Sequence, residues 1–245
     1  MEHLYQQVDG EEIEKLNPFN EDKDKEEDFQ RKRAAIFDID GTLIKNMSSE
    51  RLFFKYLVYK RIVTPRDILR YLKVSLNRFI NLEGLQLKEN KHYLEGKKVD
   101  AIFEIARNFF NEKISSHISK EALREINSLR DKGYTIILLS GTLSFLVDCF
   151  KNHCNADLGI GTKLVSDNGV FTGEISGIYA YDKGKVDIVK RLEKKYNIDL
   201  KNSYAYANQY TDVKHMRLMG YPIAVNASKR LHLYAKKNNW CITKF

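Results

Sequence analysis

Two aspartates separated by one residue, Asp38 and Asp40, follow the apolar run Ala34-Ala35-Ile36-Phe37 and precede Gly41-Thr42. Four apolar residues without alternation predict a strand buried on both faces, as in the middle of a parallel sheet. Residues i and i+2 of a strand point the same way, so both carboxylates face one point beyond its C-terminal end. In open α/β sheets that is where ligands bind. Two convergent carboxylates suit a divalent cation, or a nucleophile beside a general acid. A turn with two solvated aspartates is the plain alternative. Gly41 permits the sharp exit, and the Thr42 hydroxyl either anchors the turn or binds an oxygen anion.

Three other places carry residue types of the same kind. Ser140-Gly141-Thr142 follows the apolar stretch 134–139 and precedes a helix marked by Leu143, Leu146, Val147 and Phe150. A hydroxyl and free backbone N–H groups at a helix start make an anion site. Asp182-Lys183-Gly184-Lys185 opens a helix with Val186, Ile188, Val189 and Leu192. A lysine there opposes the helix dipole unless an anion lies nearby, which singles out Lys183 or Lys185. Asn208-Gln209-Tyr210-Thr211-Asp212 follows the short strand 203–207.

The elements that must position these groups alternate in type. After the first strand, residues 46–116 contain no strand signal. Ser48-Ser49 precedes Leu52, Phe53, Tyr56, Leu57 and Tyr59. Thr64-Pro65 precedes Ile68, Leu69, Leu72, Leu76 and Phe79, and a third set holds Ile102, Ile105, Ala106, Phe109 and Phe110. Each set has helical spacing and is expected to form the inward face of its helix. From Ser119 the α/β pattern resumes with a capped helix (Ala122, Leu123, Ile126, Leu129) ended by Gly133. Asp167-Asn168-Gly169, flanked by Leu164, Val165, Val170 and Phe171, predicts a hairpin within 162–179. A fourth strand over 220–225 and a helix with Leu231, Leu233 and Ala235 follow, then Trp240-Cys241-Ile242.

At 245 residues and 43% hydrophobic composition, the chain can bury a substantial core. No run approaches the ~20 apolar residues of a membrane helix. The net charge of +8 is uneven: residues 1–30 hold eleven Asp/Glu against three Lys, leaving a net of +16 on residues 31–245. The first thirty residues read as a mobile acidic arm, neither secretory signal nor Arg-rich transit peptide. A basic body attracts phosphates, nucleic acid or an anionic membrane surface, although no aromatic-basic nucleic-acid motif appears. Cys149, Cys154 and Cys241 are too few for a disulfide framework, and His153-Cys154 lacks the second pair a zinc site needs. A reducing cytoplasm is the simplest compartment.

Asp38/Asp40, Ser140, Lys185 and Asn208/Asp212, in this order at successive strand and helix ends, resemble the haloacid dehalogenase-like (HAD) superfamily. The closer resemblance is to its phosphoserine-phosphatase-like subfamily IB. The likeness covers about residues 33–245, and its most specific part is Asp38-x-Asp40-Gly41-Thr42. The hairpin, Gly184-Lys185-Val186 and Pro222-Ile223-Ala224-Val225-Asn226 fall in the family's order. The resemblance implies a Rossmann-like three-layer α/β/α core with a parallel sheet over 31–45 plus 117–245. An all-helical cap of C1 type would span 46–116.

It also implies roles. Asp38 would be the nucleophile that takes a phosphoryl group as aspartyl-phosphate, and Asp40 the general acid and then base. Ser140, Gly141 and Thr42 would bind the phosphate, and Lys185 would neutralise charge. Mg2+ would be held by Asp38, Asp40, Asn208 and Asp212. The implied activity is magnesium-dependent hydrolysis of a small or lipid-like phosphomonoester. Two departures bear on it. Asn208 stands where the family writes a metal-binding aspartate, which opens a second reading as a weak or silent phosphate-binding protein. Met47 occupies the position of the glutamate that binds the phosphoserine amine, and Lys88 and Lys91 lie nearest to the expected cap arginine. Phosphoserine is therefore not the expected substrate.

Overall fold

Strand β1 (Ala34–Phe37) is buried at all four residues and lies at the centre of a seven-stranded sheet ordered β4 (Val170–Ser176), β3 (Leu158–Asp167), β2 (Thr135–Leu143), β1, β5 (Tyr204–Ala207), β6 (Tyr221–Val225), β7 (Cys241–Thr243). In this computed structural model the described residues are 31–80 and 90–245, without the side chains of 77–80. The predicted acidic arm over 1–30, Lys88 and the side chain of Phe79 lie outside them.

β1 pairs in parallel with β2 (Thr135–Leu143) on one side and β5 (Tyr204–Ala207) on the other, with Phe37 opposite Leu138 and Tyr206. β6 (Tyr221–Val225) and β7 (Cys241–Thr243) continue the parallel order. Alternate residues of β1 enter opposite cores, as the two-residue strand period requires. Ala35 and Phe37 join Phe53 of α1 (Ser49–Tyr59), Ile102 and Phe109 of α3 (Val99–Phe109), Ile126 of α4 (Lys120–Asp131) and Phe150 of α5 (Ser144–Cys154). Ala34 and Ile36 join Val189 of α6 (Lys183–Tyr196), Met216 of α7 (Val213–Met216) and Leu231 of α8 (Lys229–Lys237). Helices thus cover both faces of a mostly parallel sheet. The arrangement is three-layered α/β/α, and burial of each large apolar side chain adds about 1.5–3 kcal/mol.

Between β1 and α4 the long elements are helical: α1, α2 (Pro65–Ile80) and α3. α3 buries Ile102, Ala106 and Phe109 as its periodicity predicts. α2 does the opposite. Leu69, Leu72 and Leu76 are 68, 54 and 58% exposed, so the expected inward leucine face is wrong. The buried side instead holds Asp67 and Ser75, with Ile68 and Tyr71 partly covered. The reason is that each polar group has its own partner. The Asp67 carboxylate accepts from the Thr64 N–H and hydroxyl at 2.8 Å each and from Lys97 Nζ at 2.8 Å. Asn90 Nδ2 donates to Ser75 Oγ at 2.8 Å and to the Tyr71 carbonyl at 2.9 Å. A satisfied polar group loses most of its burial penalty.

Four smaller expectations also change. β2 runs through Ser140-Gly141-Thr142, and α5 starts only at Ser144, so Leu143 precedes that helix and Ser140 is not in its first turn. The hairpin is present, with Asn168 (φ 47°) and Gly169 (φ 76°) at its turn. Its first strand, β3 (Leu158–Asp167), starts earlier than predicted. That strand pairs in parallel with β2 before turning antiparallel to β4 (Val170–Ser176). Leu233 is exposed, and residues 241–243 form the edge strand β7. No helix among the described residues is long and apolar enough to cross a membrane.

Candidate active site

The sequence-predicted groups from β1, α6 and the segment after β5 meet beyond the C-terminal ends of the central strands. Asp38 follows the last residue of β1, and its N–H donates to the Tyr206 carbonyl at 2.9 Å, tying it to β5. Lys185, in the first turn of α6, donates to Asp38 Oδ1 and Asp212 Oδ1, both at 2.7 Å. All three side chains are buried. Lys183, the other candidate at that helix start, is exposed.

Burial raises the Asp38 carboxyl, the nearby Lys185 ammonium pulls it back, and the Asp212 carboxylate raises it again, leaving it near 7. Burial also acts to raise Asp212, but the Lys185 ammonium and its hydrogen bond hold it below the ordinary carboxylate range. Burial alone would lower Lys185; its two carboxylate partners more than reverse that and keep it charged. His215 Nδ1 lies 3.8 Å from Asp212 Oδ1, and burial pushes this imidazole down to about 4, so it is neutral at pH 7.

Asp40 is positioned differently. The Ser49 N–H (3.0 Å) and hydroxyl (2.7 Å) both donate to Asp40 Oδ1, and Ser49 Oγ also lies 3.1 Å from Thr142 Oγ1. Burial raises the Asp40 carboxyl while the Ser49 bonds oppose it, and the net shift is upward. A carboxyl held protonated more readily than usual suits a general acid. Thr42, fully buried, places its hydroxyl 3.4 Å from Asp38 Oδ2, so in this state it orients the carboxylate. Ser140 is buried on the strand next to β1, with its Oγ accepting from the Thr142 N–H at 3.3 Å. The Gly141 carbonyl accepts from Thr162 Oγ1 at 2.8 Å, which holds the end of β2 against β3.

Asn208 follows β5 directly and presses on Gly41. A methyl group added to Gly41 would come within 1.9 Å of Asn208 Nδ2, and Gly41 has a φ of +82°, so both space and backbone require glycine there. Asn208 Oδ1 is buried and accepts no hydrogen bond from the described residues. An orphaned buried oxygen costs free energy unless something electropositive meets it. It lies against Gly41, the residue after Asp40, and a hard oxygen of this kind suits Mg2+. The residues present therefore fit the cation. Asp212, the fourth expected ligand, is engaged by Lys185.

Several participants had no sequence signal of their own. Ser49 reads as part of a helix cap, yet its side chain serves Asp40. Asn226, in left-handed backbone (φ 45°), donates through Nδ2 to the Gly41 carbonyl at 3.2 Å and steadies the motif turn. Buried Lys91 pairs with Glu50, to which the Tyr93 hydroxyl also donates at 3.2 Å. A hollow of about 550 Å3 lined by Tyr204, Tyr221, Trp240 and Cys241 lies at the N-terminal ends of β5 and β6, the other end of the strands.

The sequence profile of haloacid dehalogenase-like hydrolases matches residues 35–217, which spans β1, Lys185, Asn208 and Asp212. The chain belongs to this family. It is a hydrolase of phosphoserine-phosphatase-like type in sequence and fold. The phosphoserine phosphatase SerB1 of Mycobacterium tuberculosis is 28% identical over 219 residues, covering 86% of this chain and 70% of that protein. The histidinol-phosphatase of Neisseria meningitidis serogroup C is 26% identical over 222 residues, 87% of this chain and 99% of that protein. Among solved structures, a protein of unknown function from Bordetella pertussis Tohama I superposes with a TM-score of 0.74 at 22% identity. It covers 87% of this chain and 98% of its own length. A phospho-aspartyl intermediate analogue of phosphoserine phosphatase gives a TM-score of 0.57 at 19% identity, over 88% and 94%. These structural likenesses establish the fold.

Proposed function

We propose that this HAD-like hydrolase is a magnesium-dependent phosphomonoesterase working through an aspartyl-phosphate, on a small or lipid-like organic phosphate. The observation that carries the reading is the pairing of two differently held carboxyls at one strand end. Asp38 is fixed through Oδ1 by Lys185, and Asp40 through Oδ1 by the two Ser49 donors.

In the first step an Asp38 carboxylate oxygen forms a bond to phosphorus as the bond from phosphorus to the ester oxygen breaks. Asp40 gives its proton to the departing alkoxide; its Oδ2, free of the Ser49 bonds, is the oxygen placed to carry that proton. In the second step Asp40, now ionised, takes a proton from water as the water oxygen attacks the acyl-phosphate and releases Asp38. Lys185 stays charged throughout and offsets the negative charge around Asp38. Ser140 and the Gly141 N–H would receive the phosphoryl oxygens. Mg2+ held by Asp38, the Asp40 backbone carbonyl and Asn208 Oδ1 would neutralise charge on the transferring group and align it.

The relatives carry two different substrate names, which supports the monoester class rather than one member of it. The cap argues against phosphoserine: Met47 packs against the apolar core, and Lys91 is already paired with Glu50. Free Cys149, Cys154 and Cys241 agree with a reducing compartment such as the cytoplasm. The test is a screen of phosphometabolites and an aryl phosphate with and without Mg2+. Turnover that needs Mg2+ is expected. No turnover on the whole panel, together with retained vanadate binding, would favour the silent phosphate-binding reading that Asn208 suggests.

A further inference from the structure

α2 is seated with polar residues inside and leucines outside, and its seating is specified by bonds. Thr64 and Asp67 form a reciprocal cap: the Asp67 side chain accepts from the Thr64 N–H (2.8 Å), and the Asp67 N–H donates to Thr64 Oγ1 (3.4 Å). Lys97 and Asn90 hold the same buried side. Rotating the helix to bury Leu69, Leu72 and Leu76 would break the contacts to Lys97 and Asn90. The exposed leucines are therefore the outcome of a well-determined packing.

Up to residue 76, the outward positions of α2 are Pro65, Arg66, Leu69, Leu72, Lys73 and Leu76. Leu69, Leu72 and Leu76 recur at i, i+3 and i+7, so they form one stripe, with Arg66 and Lys73 a turn away along it. None of these described outward positions is acidic. The end of α1 adds Tyr59, 81% exposed, followed by exposed Lys60 and Arg61. Residues 31–245 carry a net charge of +16. A leucine stripe flanked on its own helix by Arg66 and Lys73, with Glu95 already paired to Arg70, is complementary to a surface that is apolar below and negative above. That describes the headgroup boundary of an anionic bilayer.

We propose that the outer face of α2, with the α1–α2 corner, docks this protein on anionic lipid membranes. The leucines enter the acyl boundary while Arg66, Lys73, Lys60 and Arg61 meet lipid phosphates. This adds a surface to the proposed hydrolase; its readout is lipid binding, so it stands or falls separately from catalysis.

The experiment is co-sedimentation of the full chain with phosphatidylcholine vesicles, with and without about one-third phosphatidylglycerol. Wild type should bind the anionic vesicles and release as salt rises, because surface charge is screened within a Debye length. Leu69→Ser/Leu72→Ser/Leu76→Ser should weaken binding by about tenfold or more, and Arg66→Gln/Lys73→Gln should also weaken it. Both variants change exposed side chains, so their thermal midpoints should match wild type. Absence of wild-type binding overturns the proposal. So does equal binding to both vesicle types, or a leucine variant that binds like wild type. If light scattering shows a wild-type dimer that the leucine variant converts to monomer, without vesicle binding by either, a second copy is the occupant and the proposal fails.

Discussion

The two halves of the site hold their charges in opposite ways. In the Asp38–Lys185–Asp212 half, one ammonium meets two carboxylates at 2.7 Å each, all buried, and the two carboxylates saturate the ammonium. In the Asp40–Asn208 half, one carboxyl is held by neutral donors from Ser49, and a buried amide oxygen has no donor among the described residues. The first half is finished in the free protein and supplies fixed orientation, so little reorganisation is left for the reaction. In the proposed reaction the second half changes charge: Asp40 would give and take a proton, and Asn208 would receive a cation.

This contrast can be broken from either side. Asp38→Asn removes the attacking oxygen, and hydrolysis of an aryl phosphate should fall by roughly 10⁴-fold or more, as removal of a covalent nucleophile does. A variant keeping a tenth of wild-type turnover would remove Asp38 from the chemistry. Lys185→Met leaves Asp38 and Asp212 buried as like charges. It should cost about 3–5 kcal/mol in urea unfolding at neutral pH, and the loss should shrink on acidification as the carboxylates protonate. Unchanged stability would mean that the triad is not the saturated half described above.

Changes on the Asp40–Asn208 side should be milder and should read out as ligand and proton affinity. Asn208→Asp replaces a dipole with a full charge and should tighten Mg2+ binding by about tenfold in calorimetry. Weaker binding would place the cation elsewhere. Ser49→Ala removes one of the three bonds from Ser48 and Ser49 that lower the Asp40 carboxyl, so that carboxyl should rise further. The limb of the pH–rate profile set by Asp40 should then move to higher pH, and Ser49→Thr should restore it. A loss of rate without a pH shift would make Ser49 a packing residue only.

The central strand and its two aspartates were legible because an unbroken apolar run and an i, i+2 pair both have direct geometric meaning. α3 was legible for the same reason: its apolar positions are the ones that bury. α2 has an equally clear repeat and faces the other way. Periodicity records which residues share a face, whereas the partners of Asp67 and Ser75, namely Lys97 and Asn90, decide which face is inside. Those partners lie 15 to 30 residues away in the chain. The roles of Ser49 and Asn226 toward the motif turn were hidden for a related cause. Each acts on the Asp40–Gly41 turn through one long-range hydrogen bond or a pair of them, and neither residue type signals that in its local context. The early start of β3 was hidden because one strand serves two sheet directions, and only the antiparallel half carries a turn signature.

The position of β1 has a consequence for how the molecule is made. The strand leading to Asp38 is synthesised before both of its neighbours but sits in the middle of the sheet. Its left neighbour pairs through Ile136 and Ile137, and its right neighbour through Tyr204, Ala205 and Tyr206. During translation an apolar strand must therefore wait, unpaired on one edge, until most of the chain has emerged. Pairings of such long sequence separation are slow to form, and exposed strand edges invite association with other nascent chains. The charged groups at its end offer no help until Lys185 arrives with α6. Recovery on refolding should therefore fall as protein concentration rises, with soluble yield limited by the closing of β5 on β1.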